Sequence, residues 1–130
     1  MRPFACDMIL IENGKVLLIK RGREPFKDEW AIPGGRIEEN ETAEQCAIRE
    51  MKEETGLEIE IEKLVGIYSD PARDPRGIIA ATYIVRKRGG ELIAGSDASE
   101  FGWFDLDNLP NLATDHLTML KDALKNINEK

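Results

Sequence analysis

Two rhythms of apolar and polar positions divide the chain. Phe4–Ile11 is apolar-rich, Asn13-Gly14 is a strong hairpin signal, and Lys15–Lys20 reads as the returning strand. Arg21–Glu29 is polar and looped; Trp30–Ile32 is a short extended piece that Pro33-Gly34-Gly35 breaks. A helical rhythm follows from Thr42 to about Thr55. Thr42 and Asn40 compete as its N-cap, and Gly56 is its left-handed stop. Leu57–Tyr68 alternates as a strand, Ser69–Gly77 is a proline-bearing loop, and Ile78–Arg88 is a further strand. Arg88-Gly89-Gly90-Glu91 reads as a second hairpin turn leading to a short piece, Glu91–Ala94, with Gly95–Ser99 as a loop. Glu100–Leu106 is the last strand, and Asn108-Leu109-Pro110 is a turn. Thr114 or Asp115 then caps a helix from Asp115 to Ile127, with Leu117, Leu120 and Leu124 as its inward stripe. Strands mixed with two helices predict one α/β domain over residues 1–130.

The first helix carries the chemistry. Stepping each residue by about 100° gathers Ala43, Cys46, Ala47 and Met51 on one side and Glu44, Gln45, Ile48 and Lys52 on the other. Glu50 and Glu54 fall within the apolar arc, and Glu53 lies at its edge beside Cys46. Acidic helix faces are commonly solvated, but these acids turn toward the protein body, where an unpaired carboxylate is costly. Like charges at i, i+3 and i+4 also destabilise a helix. A cation must meet them: a hard divalent ion such as Mg²⁺ or Mn²⁺, or an arginine. Arg49, four residues before Glu53, is placed to pair with it and to reach Glu41.

Bulk numbers narrow the field. The chain has 130 residues, 42% hydrophobic and 33% charged, enough for one core, and no apolar run of membrane-spanning length. No signal-peptide hydrophobic region opens it. Cys6 and Cys46 lack metal-type spacing and read as buried thiols of a reducing cytoplasm. A net charge of −7 argues against general nucleic-acid binding, yet not against an anionic small substrate, because a bound cation reverses the local charge.

Gly35, Glu41, Arg49, Glu50, Met51, Glu53, Glu54, Gly56 and Leu57 stand at the offsets of the Nudix box, G-x5-E-x7-R-E-U-x-E-E-x-G-U, where U is a bulky aliphatic residue. The chain resembles a Nudix hydrolase. That resemblance implies an α/β/α sandwich around a mixed β-sheet and metal-dependent hydrolysis of a nucleoside diphosphate linked to another group. It implies that Glu50, Glu53 and Glu54, with a backbone carbonyl near Gly34, hold Mg²⁺ or Mn²⁺. Gly35, Glu41, Arg49 and Gly56 would then shape the motif. Glycines at 34 and 35 let the main chain approach closely. The base is a box glutamate, with Glu53 the candidate, or Glu100, placed before the last strand.

Substrate choice rests on less. Pro71 follows the box at about the distance associated with ADP-ribose pyrophosphatases, and Lys20–Trp30 is similar to the loop at the mouth of their site. Arg23, Arg73 and Arg76 are candidate phosphate-gripping groups. Phe26 and Trp30 are candidates to stack on a base, although an aromatic there also suits a core. His116, the only histidine, reads as structural. The expected activity converts ADP-ribose to AMP and ribose 5-phosphate. The alternatives are an oxidised nucleoside triphosphate, another nucleotide sugar, or a non-catalytic nucleotide sensor; sensors usually lose a box residue, and none is lost here. The partner expected is a small nucleotide, with no nucleic acid and no membrane, and the resemblance implies a homodimer.

Overall fold

Asn13 (φ 53°) and Gly14 (φ 75°) take the left-handed conformations a two-residue hairpin demands. β1 (Phe4–Glu12) therefore turns straight into β2 (Lys15–Arg21), with Glu12 opposite Lys15. The computed structural model describes residues 1–93 and 98–128. After the hairpin come β3 (Trp30–Ala31), β4 (Gly34–Arg36), α1 (Ala43–Thr55), β5 (Leu57–Tyr68), β6 (Ile79–Gly90), β7 (Ala98–Asp105) and α2 (His116–Asn128). The strands hydrogen-bond in the order β3-β2-β1-β6-β5, with β4 also on β1 and β7 on β2. β1 and β6 run parallel and the other pairs antiparallel, so the sheet is mixed.

Alternation along β1 decides which helix covers which face. Cys6, Met8 and Leu10 pack against Cys46, Ala47 and Met51 of α1. Ile9 faces the other way and joins Val16, Leu18 and the α2 residues Met119, Leu120 and Ala123. One helix on each face gives the expected α/β/α sandwich. Both cysteines are free and buried. Among the described residues no helix is long and apolar enough to cross a membrane.

Four local expectations change. Gly34 and Gly35 do not merely break the chain; with Arg36 they form β4, paired to Asp7, Cys6 and Ala5. Arg88–Glu91 is not a hairpin turn. Gly89 and Gly90 continue β6 opposite Glu58 and Leu57, and a Cβ on Gly90 would lie 2.4 Å from Gly56 O. The glycine pair serves that close approach rather than a reversal. Glu91–Ile93 is not strand; Ala94 and residues 95–97 of the expected Gly95–Ser99 loop lie outside the described residues, while Ala98 and Ser99 belong to β7. On α2, Leu117 is 44% exposed, and the inward stripe is His116, Met119, Leu120 and Ala123, at i, i+3, i+4 and i+7. The histidine takes the first inward place, which shifts the stripe.

Candidate functional site

Thr42 starts α1 with a reciprocal cap. Its hydroxyl accepts from Gln45 N, and Gln45 Oε1 accepts from Thr42 N. Asn40 precedes it in a left-handed conformation (φ 68°). One turn in, Arg49 gathers the acids. Its guanidinium bonds Glu41 twice, at 2.7 and 2.8 Å, Glu50 at 2.5 Å and Glu53 at 3.0 Å, and it donates to Arg36 O at 3.0 Å. The Glu41 bonds are the main cause that raises Arg49 above the ordinary arginine value. In return Arg49 holds the Glu41 carboxyl down at about 2.

The three box acids have different surroundings. Glu54 is 4% exposed and Glu50 mostly covered, whereas the Glu53 side chain is half exposed. Glu53, at the edge of the inward arc, thus turns outward beside Arg49 and not toward the body with the other two. Glu50 lies against β4 so closely that a Cβ on Gly35 would sit 1.8 Å from its Oε2. Among the described residues, no three histidine, cysteine or acidic side chains converge as a metal cluster.

Glu50, Glu54, Gly34 and Gly35 line one cavity of about 550 Å³. Arg21 enters its lining from the end of β2 and Arg23 from the segment that follows, and Arg73, Asp74 and Arg76 from the loop between β5 and β6. Two fork-like pairs fix that loop. Arg73 bonds Asp115 at 2.9 and 2.8 Å and Ile78 O at 2.8 Å. Arg76 bonds buried Asp74 at 3.0 and 2.7 Å. Burial opposes ionising Asp115 and Asp74, but these guanidinium partners prevail and hold both below the usual range. Asp7 and His116 also line the cavity. His116 Nδ1 accepts from Ile32 N at 3.0 Å, so the neutral ring carries its proton on Nε2, and burial pushes its pKa down to about 4. Burial likewise pushes Asp7 up to about 7.

The NUDIX domain profile matches residues 1–123. The chain belongs to the NUDIX family. An ADP-ribose pyrophosphatase of Methanocaldococcus jannaschii is 50% identical over 122 residues, which cover 93% of this chain and 72% of that protein. The NUDIX domain of Shewanella oneidensis NrtR, solved in complex with ADP ribose, superposes with a TM-score of 0.84 at 27% identity; the match covers 98% of this chain and 89% of that one. A bifunctional NMN adenylyltransferase/ADP ribose pyrophosphatase from Francisella tularensis, complexed with AMP and a Mn ion, gives 0.82 at 27% identity, over 97% of this chain and 42% of that one.

Within this NUDIX domain the residues singled out from sequence separate into two groups. Gly34, Gly35, Glu50, Glu54, Arg23, Arg73 and Arg76 share the cavity. Glu41, Arg49 and Gly56 build the frame, the last as the α1 cap (φ 80°) with its N–H on Lys52 O. Glu100 stands apart on β7, exposed and 3.5 Å from Lys20 Nζ. Trp30 packs edge-to-face on Phe104 at 4.7 Å, outside the cavity lining, and Phe26 packs beside Ile19 and Ala31. Arg73 is only 5% exposed, and three of its donors are engaged within the protein. Sequence reasoning missed Asp7, Arg21 and the cavity position of His116. The available signal was Asp7, a single acid inside an otherwise apolar strand.

Proposed function

We propose that the chain hydrolyses the pyrophosphate bond of ADP-ribose, with Mg²⁺ or Mn²⁺, to AMP and ribose 5-phosphate. The observation that carries this reading is the cavity itself, where the Glu50 and Glu54 carboxylates meet arginines from two loops. Acids at one wall suit a hard cation, and arginines at the rim suit phosphate oxygens. The ADP-ribose preference draws its support from the Methanocaldococcus jannaschii relative.

The donors fit such an ion. The box helix offers carboxylate oxygen, and the missing Cβ at Gly35 leaves room for Glu50 beside the main chain. Glu50 and Glu54 would hold the ion, Glu53 would join them on leaving Arg49, and the Gly34 carbonyl is the backbone candidate. When bound, the ion neutralises phosphate charge and lowers the pKa of a water that attacks phosphorus. Arg49 orients Glu50 at the cavity wall and holds Glu53 beside itself through hydrogen bonds. Glu54, buried at the cavity wall, is the better-placed acceptor of the water's proton; Glu100 on its separate strand is not. The water oxygen bonds to one phosphorus, the P–O–P link breaks, and the departing phosphate takes the electron pair. Arg21 and Arg23 steady the phosphates, while Arg73 keeps the opposite rim in place.

A product assay tests this. ADP-ribose, other nucleotide sugars, dinucleoside polyphosphates and oxidised nucleoside triphosphates are offered separately, with and without EDTA. AMP and ribose 5-phosphate from ADP-ribose, abolished by EDTA and restored by Mg²⁺ or Mn²⁺, are expected. Turnover of oxidised triphosphates alone would replace the substrate, and turnover of none would favour a sensor.

A further inference from the structure

Asp7 is an unusual presence on the cavity floor. It is 8% exposed, yet among the described residues its carboxylate accepts no hydrogen bond. His116 Nε2 stands 3.9 Å from Asp7 Oδ1, beyond bonding distance. The nearby cations are committed: Arg73 to Asp115 and Arg76 to Asp74. Buried acceptors are ordinarily satisfied, and one left without a donor is costly unless something else supplies the proton. The side chain has little freedom, since a Cβ on Gly34 would lie 2.3 Å from Asp7 Oδ1. His116 is fixed too, by its bond from Ile32 N. An acceptor and an N–H donor thus line the same cavity about one hydroxyl group apart.

Their place narrows what they meet. Asp7 pairs with Gly34 across the β1–β4 ladder, and the next residue, Gly35, is the one against Glu50. The pair is therefore a single residue removed from the wall assigned to the metal and the pyrophosphate. In a nucleoside diphosphate ligand, the group next to the pyrophosphate is a pentose; a base lies one sugar further away. Pentose hydroxyls both donate and accept, as the pair requires.

We propose that Asp7 accepts, and His116 Nε2 donates, hydrogen bonds at the hydroxyls of the pentose adjoining the pyrophosphate, making the pair a sugar-specificity subsite. The inference rests on the pyrophosphatase reading above. It applies to either ribose of ADP-ribose, and deoxy analogues distinguish the two.

The test is a cycle between protein and ligand. kcat/KM is measured for ADP-ribose and for analogues lacking the 2-hydroxyl on the adenosine ribose or on the terminal ribose. Wild type is compared with Asp7→Asn, which keeps the shape, and Asp7→Ala. At about pH 8.5, where Asp7 is ionised, removing the recognised hydroxyl should cost wild type roughly tenfold to a hundredfold, as expected for a bond to a charged group. The same removal should cost Asp7→Asn and Asp7→Ala only a few-fold, the remainder being the bond that His116 Nε2 still donates. The analogue that shows the coupling identifies the ribose. Equal penalties in wild type and both variants, with ADP-ribose still hydrolysed, overturn the subsite and leave the proposed function standing. If wild type does not hydrolyse ADP-ribose, that function falls. The cycle is then read by calorimetric binding of ribose 5-phosphate against 2-deoxyribose 5-phosphate. There, a preference lost in the variants supports the subsite; equal affinities, or no binding of either, overturn it.

Discussion

Arg73→Met separates a strut from a phosphate-binding arginine. The substitution keeps much of the stem and deletes the guanidinium, which is 5% exposed and makes two bonds to Asp115 and one to Ile78 O. Asp115 is left at the start of α2 with a carboxylate about one-quarter exposed. Removing one partner of a buried pair costs about 3–5 kcal/mol, and the partial exposure of Asp115 sets the lower end, about 3 kcal/mol. In a domain of this size each kcal/mol moves the midpoint by about 3–5 °C, so the expected fall is about 10 °C. Thermal unfolding followed by circular dichroism reads it, with KM for ADP-ribose measured at a temperature where both proteins are folded. A midpoint within about 2 °C of wild type together with a several-fold rise in KM would refute the strut and return Arg73 to the phosphates.

With Mg²⁺ saturating, because Glu54 is also assigned to the ion, Glu54→Gln should lower kcat roughly a hundredfold through loss of the proton acceptor, with KM changed far less; steady-state kinetics decides, and near-normal kcat would clear Glu54 of that role. Glu41 has its carboxyl lowered from 4.5 to about 2 by Arg49, so its stabilisation is complete above about 4.5 and is lost as pH falls toward 2. Melts of wild type should therefore decline more steeply across that window than melts of Glu41→Gln, and parallel curves would contradict the assignment. Leu120→Ala should cost about 2–5 kcal/mol in denaturant unfolding. Leu117→Ala, on the exposed side of α2, should cost less than about 1 kcal/mol, and the reverse ranking would contradict the helix orientation.

The residues that were legible in the sequence are those whose signal is local. Asn13-Gly14 and the Thr42 cap carry their own backbone chemistry, and the box fixes α1, Gly56 and the Arg49–Glu41 pair by spacing. The same local reasoning misjudged Gly89-Gly90, because pairing with β5 decides what that glycine pair does. It misjudged Glu53, whose outward turn depends on Arg49 and not on helical angle alone. Leucine spacing alone points Leu117 inward because it passes over His116, a polar residue that the cavity brings inside. Arg73 showed only its charge; the acid that claims it lies 42 residues later. Asp7 meets its surroundings through β4 and α2, both remote in sequence, so only its break in an apolar run marked it.

Divalent cations binding at the cavity wall formed by Glu50 and Glu54 underlie the whole proposed reaction. Electron paramagnetic resonance titration of Mn²⁺ tests this without any substrate. Wild type should remove free Mn²⁺ from solution stoichiometrically, and a Glu50→Gln, Glu54→Gln double variant that melts normally should not. Identical titrations for the two proteins, or no binding by wild type, would contradict it.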